Sequence, residues 1–244
     1  MSLKVTAALK QRAVWSELSA EAWLYYWTVW PGMRLSNLRR SETTPDINWL
    51  YRGVAGMAAS VALLVATVII EPSNYVAGWI GVVVVLAFIH FGYADVLSYY
   101  MRLRGFKTKR LFLLPHKSKS LNDFWSRRWN VAFVEMNQVL FLPGIQKLSK
   151  ALLVPLTLGL SGIMHELALS YPAGAGWGLP LLYFVVQGLL MKTERQTWFK
   201  NLPEAFRPWW ARFWVLAPVG LVFHQPFRDA LPLELVLLLS LIHI

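Results

Sequence analysis

Six long runs of apolar residues alternate with short polar segments along this chain, at 53–70, 76–97, 152–171, 177–191, 213–223 and 231–244. A membrane-crossing helix needs about 20 mainly apolar residues, fewer where neighbours or local thinning help. The links inside the three pairs are brief: "EPSN", the uncharged "PAGAG" and "HQPFRDA". The pattern predicts an all-α protein, a polytopic bundle of six membrane-spanning helices. A seventh apolar stretch, 131–141, carries Glu135, Asn137 and Gln138 and ends at Pro143-Gly144. That mixture predicts an interfacial or re-entrant helix, and the Trp- and Tyr-dense segment 15–30 reads the same way. No internal repeat or low-complexity tract divides the sequence, so 1–244 is expected to be one membrane-embedded domain. The chain closes in "LELVLLLSLIHI", an apolar run without a polar cap. This reads as a truncated frame, and His243 carries no weight.

Charge orients the bundle. Arg34, Arg39, Arg40 and Arg52 precede the first run, and 102–128 holds nine Lys or Arg against one acid, Asp123. Lys192, Arg195, Lys200, Arg207 and Arg212 separate the fourth run from the fifth. The turns on the opposite side are almost free of basic residues, so the positive-inside rule places both termini and the basic loops in the cytoplasm. Composition agrees: mean hydropathy is +0.43, 56% of residues are hydrophobic and 13 are tryptophans, a residue enriched where membrane meets water. A net charge of +11 in a soluble protein suggests nucleic acid. In so apolar a chain it points to anionic lipid or a phosphorylated substrate, and no nucleic-acid partner is expected. The absence of cysteine excludes disulfides, thiolate metal sites and a Cys nucleophile. The N-terminus is too polar for a secretory signal. Nothing in the pattern specifies an oligomeric state.

Two polar features stand where polarity is expensive. His165 and Glu166 interrupt the apolar "LTLGLSGIMHELALS", and ionisable groups inside a span face a cavity or the bundle interior. The two side chains point about 100° apart on a helix, so Glu166 need not touch the imidazole. A histidine near its reference pKa takes a proton from an alcohol at neutral pH, which suits acyl or phosphoryl transfer to a hydroxyl; the alternative is a histidine that merely bonds a neighbouring helix. Asn130 ends "SLNDFWSRRWN". It reads as a helix N-cap or as a carboxamide that holds a substrate carbonyl. Arg127 and Arg128, with Lys117 and Lys119 in the same basic region, are the candidate phosphate ligands. His90 is expected to pack, His116 to be a solvated loop residue and His224 to be structural. No Walker A loop, dinucleotide fingerprint, H-E-x-x-H or G-x-S-x-G occurs. No metal is expected, because His165-Glu166 lacks a second histidine nearby.

Together, "SLNDFWSRRWN" and the downstream "SGIMHELALS" resemble the membrane-bound O-acyltransferase superfamily, and within it the wax-synthase-like branch. "WPGMR" (30–34), "QGLLMKTE" (187–194) and "FHQPF" (223–227) are similar to the same branch, so the likeness runs from about residue 25 to 230. The resemblance implies a helical bundle around a chamber, and transfer of an acyl group from acyl-CoA, a co-substrate, to a lipid hydroxyl without any cofactor. It implies His165 as general base and Asn130 as the residue that positions the donor, with Glu166, Trp129 and Trp125 supporting the pocket. Arg127, Arg128, Lys117 and Lys119 would meet the CoA phosphates. The expected setting is the inner membrane of a bacterium, with membrane lipids around the chain and a long-chain alcohol as acceptor, giving a wax ester. Diacylglycerol, sterol, carotenoid or glycolipid hydroxyls are alternative acceptors. Fuller members of the branch have more than six spans, which bears on activity. The competing class is a non-enzymatic membrane protein, a transporter fragment or a lipid-binding scaffold.

Overall fold

The computed structural model describes residues 3–42, 44–148 and 152–231. Among them every regular element is helical, and only Arg40 and Phe106 pair as an isolated bridge. In chain order the main helices are α1 (Leu3–Lys10), α2 (Ala20–Thr28), α3 (Ile47–Ile70), α4 (Asn74–Leu103), α5 (121–128), α6 (131–148), α7 (Leu153–Ala173), α8 (Leu179–Thr193), α9 (Arg207–Leu216) and α10 (Val219–Val222).

Three of these, α3, α4 and α7, are long and apolar enough to cross a membrane, and they fall on the first three apolar runs. The fourth run becomes α8, apolar but only 15 residues long. The fifth is not one helix: α9 ends at Leu216 and α10 starts at Val219, because Pro218 has no N–H to continue the ladder. The sixth run lies outside the described residues. Stretch 131–141 is helical, as its pattern predicts, and forms most of α6.

The ends of α3 show how local chemistry sets the spans. Asp46 accepts the N–H of Asn48 (3.0 Å) at the start, satisfying a donor with no helical partner. At the other end Glu71 turns left-handed (φ 49°) before Pro72. Only 11% of the most apolar window of α3 is buried, so its Val and Ile side chains face outward, as a lipid-facing helix requires. Small residues bring α3 against α4. A Cβ at Gly53 would lie 2.8 Å from the Gly92 carbonyl oxygen, and one at Gly92 would lie 2.4 Å from Cγ of Met57. Close backbone approach of this kind is how helices pack in lipid.

Among the described residues two larger apolar cores result, beside a smaller cluster around Ala7, Met136 and Leu140. One gathers Tyr26, Trp30, Leu35 and Leu38 from the N-terminal segment onto Met101 at the end of α4 and onto Phe106 and Phe112 of the following loop. The other joins Leu158 of α7, Tyr183, Phe184 and Met191 of α8, and Ala211 of α9. The loop at 104–113 is fixed between α4 and the start of α6. The Arg110 guanidinium forks onto the buried Asp95 carboxylate, with Nε 2.8 Å from Oδ1. Leu113 N–H donates to the Arg128 carbonyl (2.8 Å) and Val131 N–H to that of Leu111 (2.8 Å). A buried pair of this geometry satisfies both charges.

Candidate active-site cavity

A cavity of about 520 Å³ lies among α4, α5, α6 and α7, and His165, Asn130, Trp125 and Trp129 all line it. Residues far apart in sequence therefore converge on one chamber, mostly apolar with a few polar groups, the usual make-up of a small-molecule site. Each of the four helices contains a π-helical stretch: Ala87–Tyr93, Phe124–Arg128, Asn137–Phe141 and Glu166–Ser170. Every stretch contributes lining residues, among them His90, Trp125, Asn137 and Leu169. A π turn inserts a residue into the helix and re-aims the side chains beside it, and such turns concentrate at functional sites.

His165 ends the α-helical part of α7. Its Nδ1 lies 2.7 Å from the carbonyl oxygen of Ser161, one turn back. A carbonyl only accepts, so the neutral ring carries its proton on Nδ1 and keeps its lone pair on Nε2. Among the described residues Nε2 has no protein partner. The Phe184 ring packs against the imidazole, centroids 4.7 Å apart.

Asn130 fulfils the capping expectation and has a group to spare. Its Oδ1 accepts from the Phe133 N–H (3.1 Å) at the start of α6, and its backbone is left-handed (φ 47°), which Asn tolerates better than most residues. Its amide NH₂ makes no protein hydrogen bond among the described residues and is free to donate into the cavity. Aromatic packing holds the surrounding frame. Trp129 is stacked between His90 (5.5 Å, 18°) and Phe124 (5.3 Å, 15°). Trp125 donates from Nε1 to Oε1 of the fully buried Gln187 (3.0 Å), and Gln187 donates onward to the Trp214 carbonyl (2.7 Å).

The remaining candidates lie mostly outside this cavity. Glu166, expected to support the pocket, does not line it. One residue past His165 it faces another direction, and its Oε1 accepts from the N–H groups of Gly178 and Leu181 (3.0 Å each) at the start of α8. Arg128, expected at a phosphate, donates instead to Asp123 (Nε–Oδ2, 2.7 Å) and to the Leu113 carbonyl (3.1 Å). Arg127, Lys117 and Lys119 are exposed and line neither this cavity nor its neighbour. His90, expected merely to pack, packs on Trp129 and also lines the cavity. Gln187 was visible in the sequence only as part of "QGLLMKTE", and no spacing rule tied it to Trp125, 62 residues earlier.

A second polar cluster imitates a Ser-His dyad. Ser170 Oγ lies 3.1 Å from Nε2 of His224. His224 Nδ1, however, accepts the Phe227 N–H (3.2 Å), so the proton sits on Nε2 and is donated to the hydroxyl. A histidine that donates to serine cannot also deprotonate it. Both residues are almost fully buried. Gly176 makes room for them: at φ +80° a Cβ there would lie 2.4 Å from the imidazole. The cluster is a structural clamp that ties the α7–α8 turn to the segment after α10, as expected of His224.

Among the described residues no three His, Cys, Asp or Glu groups gather as a metal site. No protein-family model, no curated protein and no solved structure matches this chain.

Proposed function

We propose that this chain is a membrane-embedded O-acyltransferase, a six-span relative of the membrane-bound O-acyltransferases, that moves an acyl group from acyl-CoA to a lipid hydroxyl. The observation that carries the reading is His165: its Nδ1–H is held by Ser161 and its Nε2 is left unpartnered on a mainly apolar chamber shared with Asn130. In the proposed step the acceptor hydroxyl gives its proton to Nε2 while its oxygen attacks the thioester carbonyl. The free NH₂ of Asn130 donates to the carbonyl oxygen as negative charge develops there. The C–S bond then breaks, the imidazolium returns its proton to the departing thiolate, and the ester remains. With no cysteine in the chain and Ser170 held by a donating histidine, transfer is direct rather than through an acyl-enzyme. The apolar walls limit water, which would otherwise hydrolyse the thioester. A long-chain alcohol is the first acceptor to test, by resemblance; diacylglycerol, sterol, carotenoid and glycolipid hydroxyls follow. The same reading places the basic loops on the cytoplasmic side of a bacterial inner membrane.

The deciding experiment incubates detergent-purified protein with labelled palmitoyl-CoA and hexadecanol, or each alternative acceptor, and measures ester. Wild type is expected to form ester and His165→Ala to lose about 10²–10⁴-fold while eluting as the same folded species. Undiminished transfer by His165→Ala would remove the assigned base. Failure of the wild type with every acceptor would favour the non-enzymatic scaffold.

A further inference from the structure

A second cavity, about 560 Å³, lies between α7 and α8. Asn122, Val154, Leu158 and Met191 line both cavities, so the wall between them is one side chain thick. Phe184, which packs on His165, lines the second. The helices are antiparallel neighbours: Gly162 of α7 meets Leu181 of α8, and Leu158 meets Gly188. The first turns of α7 therefore lie beside the last turns of α8. Glycine plays two different parts here. At Gly162 a Cβ would come within 3.0 Å of the Leu181 backbone, so close packing demands it. At Gly159 a Cβ meets nothing within 4 Å, and at Gly188 only Cδ1 of Leu158 at 3.4 Å. Packing does not require these two, and their lack of side chains keeps the cavity open.

One end of this apolar slot is charged. Lys192 and Arg195 line it and are exposed, and among the described residues neither has an acidic partner. Glu194 stands between them but is engaged elsewhere: its two oxygens accept from the N–H groups of Leu121 (2.6 Å) and Asn122 (3.0 Å). Burial also holds its carboxyl above the usual carboxylate range. A slot with apolar walls and a pair of free cations at its mouth suits a ligand with the same division.

We propose that this second cavity binds an anionic, phosphate-bearing amphiphile, its head between Lys192 and Arg195 and its apolar chain along Gly159 and Gly188 toward Phe184. Two sources share that chemistry: a water-borne acyl-CoA and an anionic phospholipid from the bilayer. The proposal does not depend on acyl transfer in the first cavity, because binding alone tests it.

The full chain in phosphatidylcholine nanodiscs is titrated with labelled palmitoyl-CoA in one arm. In the other, retention of phosphatidylglycerol doped into the discs is read by native mass spectrometry. The expected result is saturable binding of at least one probe, weakened by added salt. Lys192→Glu/Arg195→Glu should weaken it about tenfold or more, the loss of a charge-assisted hydrogen bond, whereas charge reversal at the exposed Arg12 (Arg12→Glu) leaves it unchanged. Gly159→Leu fills open space rather than colliding with a neighbour, so it should block binding without unfolding the bundle. A response confined to palmitoyl-CoA identifies the donor as ligand; one confined to phosphatidylglycerol identifies a bilayer lipid. Absence of saturable binding in both arms overturns the proposal, as does wild-type affinity in both the charge-reversed and the Gly159→Leu proteins.

Discussion

His165 and His224 belong to the same helical assembly, and both hydrogen-bond to protein, but they end with opposite resources. His224 donates from one ring nitrogen to Ser170 and accepts the Phe227 N–H with the other. His165 uses one nitrogen on its own helix and keeps the other for a ligand. The contrast shows that burial or proximity to a serine says little about chemistry. What separates a clamp from a base is which nitrogen carries the proton, and whether a lone pair is left over. Asn130 repeats the lesson inside one side chain, with its oxygen used as a cap and its amide hydrogens free.

The most direct way to break the contrast is to remove each histidine in turn. His165→Ala should cost about 10²–10⁴-fold in transfer and little in stability. Asn130→Gly sharpens the picture next. Glycine accepts the left-handed backbone and costs only a few tenths of a kcal/mol as a cap, so the folded protein should persist while transfer falls about 10²-fold. Equal losses of stability and activity would reduce Asn130 to a cap. His224→Ala should do the reverse. It leaves the Ser170 hydroxyl and the Phe227 N–H without their partner and should lower stability by about 1–3 kcal/mol, read as an earlier heat-unfolding midpoint in detergent. Activity per folded molecule should survive; its disappearance would place His224 in the chemistry and end the contrast.

The smallest expected effect lies far from both histidines. Glu21 bridges Arg104 (2.6 Å) and Arg40 at the surface, and its hydrogen bond to Arg104 holds its carboxyl below the usual range. A carboxyl whose folded pKa is depressed contributes stability above its unfolded pKa, and that contribution is lost as pH falls through the folded value. Exposed pairs are worth at most about 1 kcal/mol. Glu21→Gln should therefore lower stability slightly at neutral pH and not at all at acid pH, flattening the acid limb of the profile; an equal loss at every pH would mean that Glu21 acts through packing rather than through its charge.

Much of the fold was legible as pattern. The first three apolar runs became α3, α4 and α7 because sustained apolarity of that length has few other uses. The fifth is interrupted for a reason also written in the chain, Pro218, although its apolar composition hid the break. The site was half legible. His165 stood out as a polar residue where polarity is costly, and Asn130 by its setting among tryptophans and arginines. Glu166 turns away from His165, as the step of about 100° per residue along a helix implies, and its partners at the start of α8 were not legible. The place of His90 on the cavity wall was not legible, because a lone histidine near a helix end has no sequence signature beyond packing. Arg128 looked like a free cation until Asp123 and the Leu113 carbonyl were seen to hold it.

By itself, then, the sequence determined that the chain is helical, apolar enough for a membrane and basic between its apolar runs, since these follow from residue type and spacing along one dimension. The tertiary structure decided which polar atoms remain unpaired. Hydrogen-bond satisfaction depends on partners tens of residues away: Ser170 with His224, Trp125 with Gln187, Glu194 with the start of α5. The tautomer of His165, the spare amide of Asn130 and the two unpaired cations beside the second cavity are remainders of that pairing, and no pattern along the chain contains them.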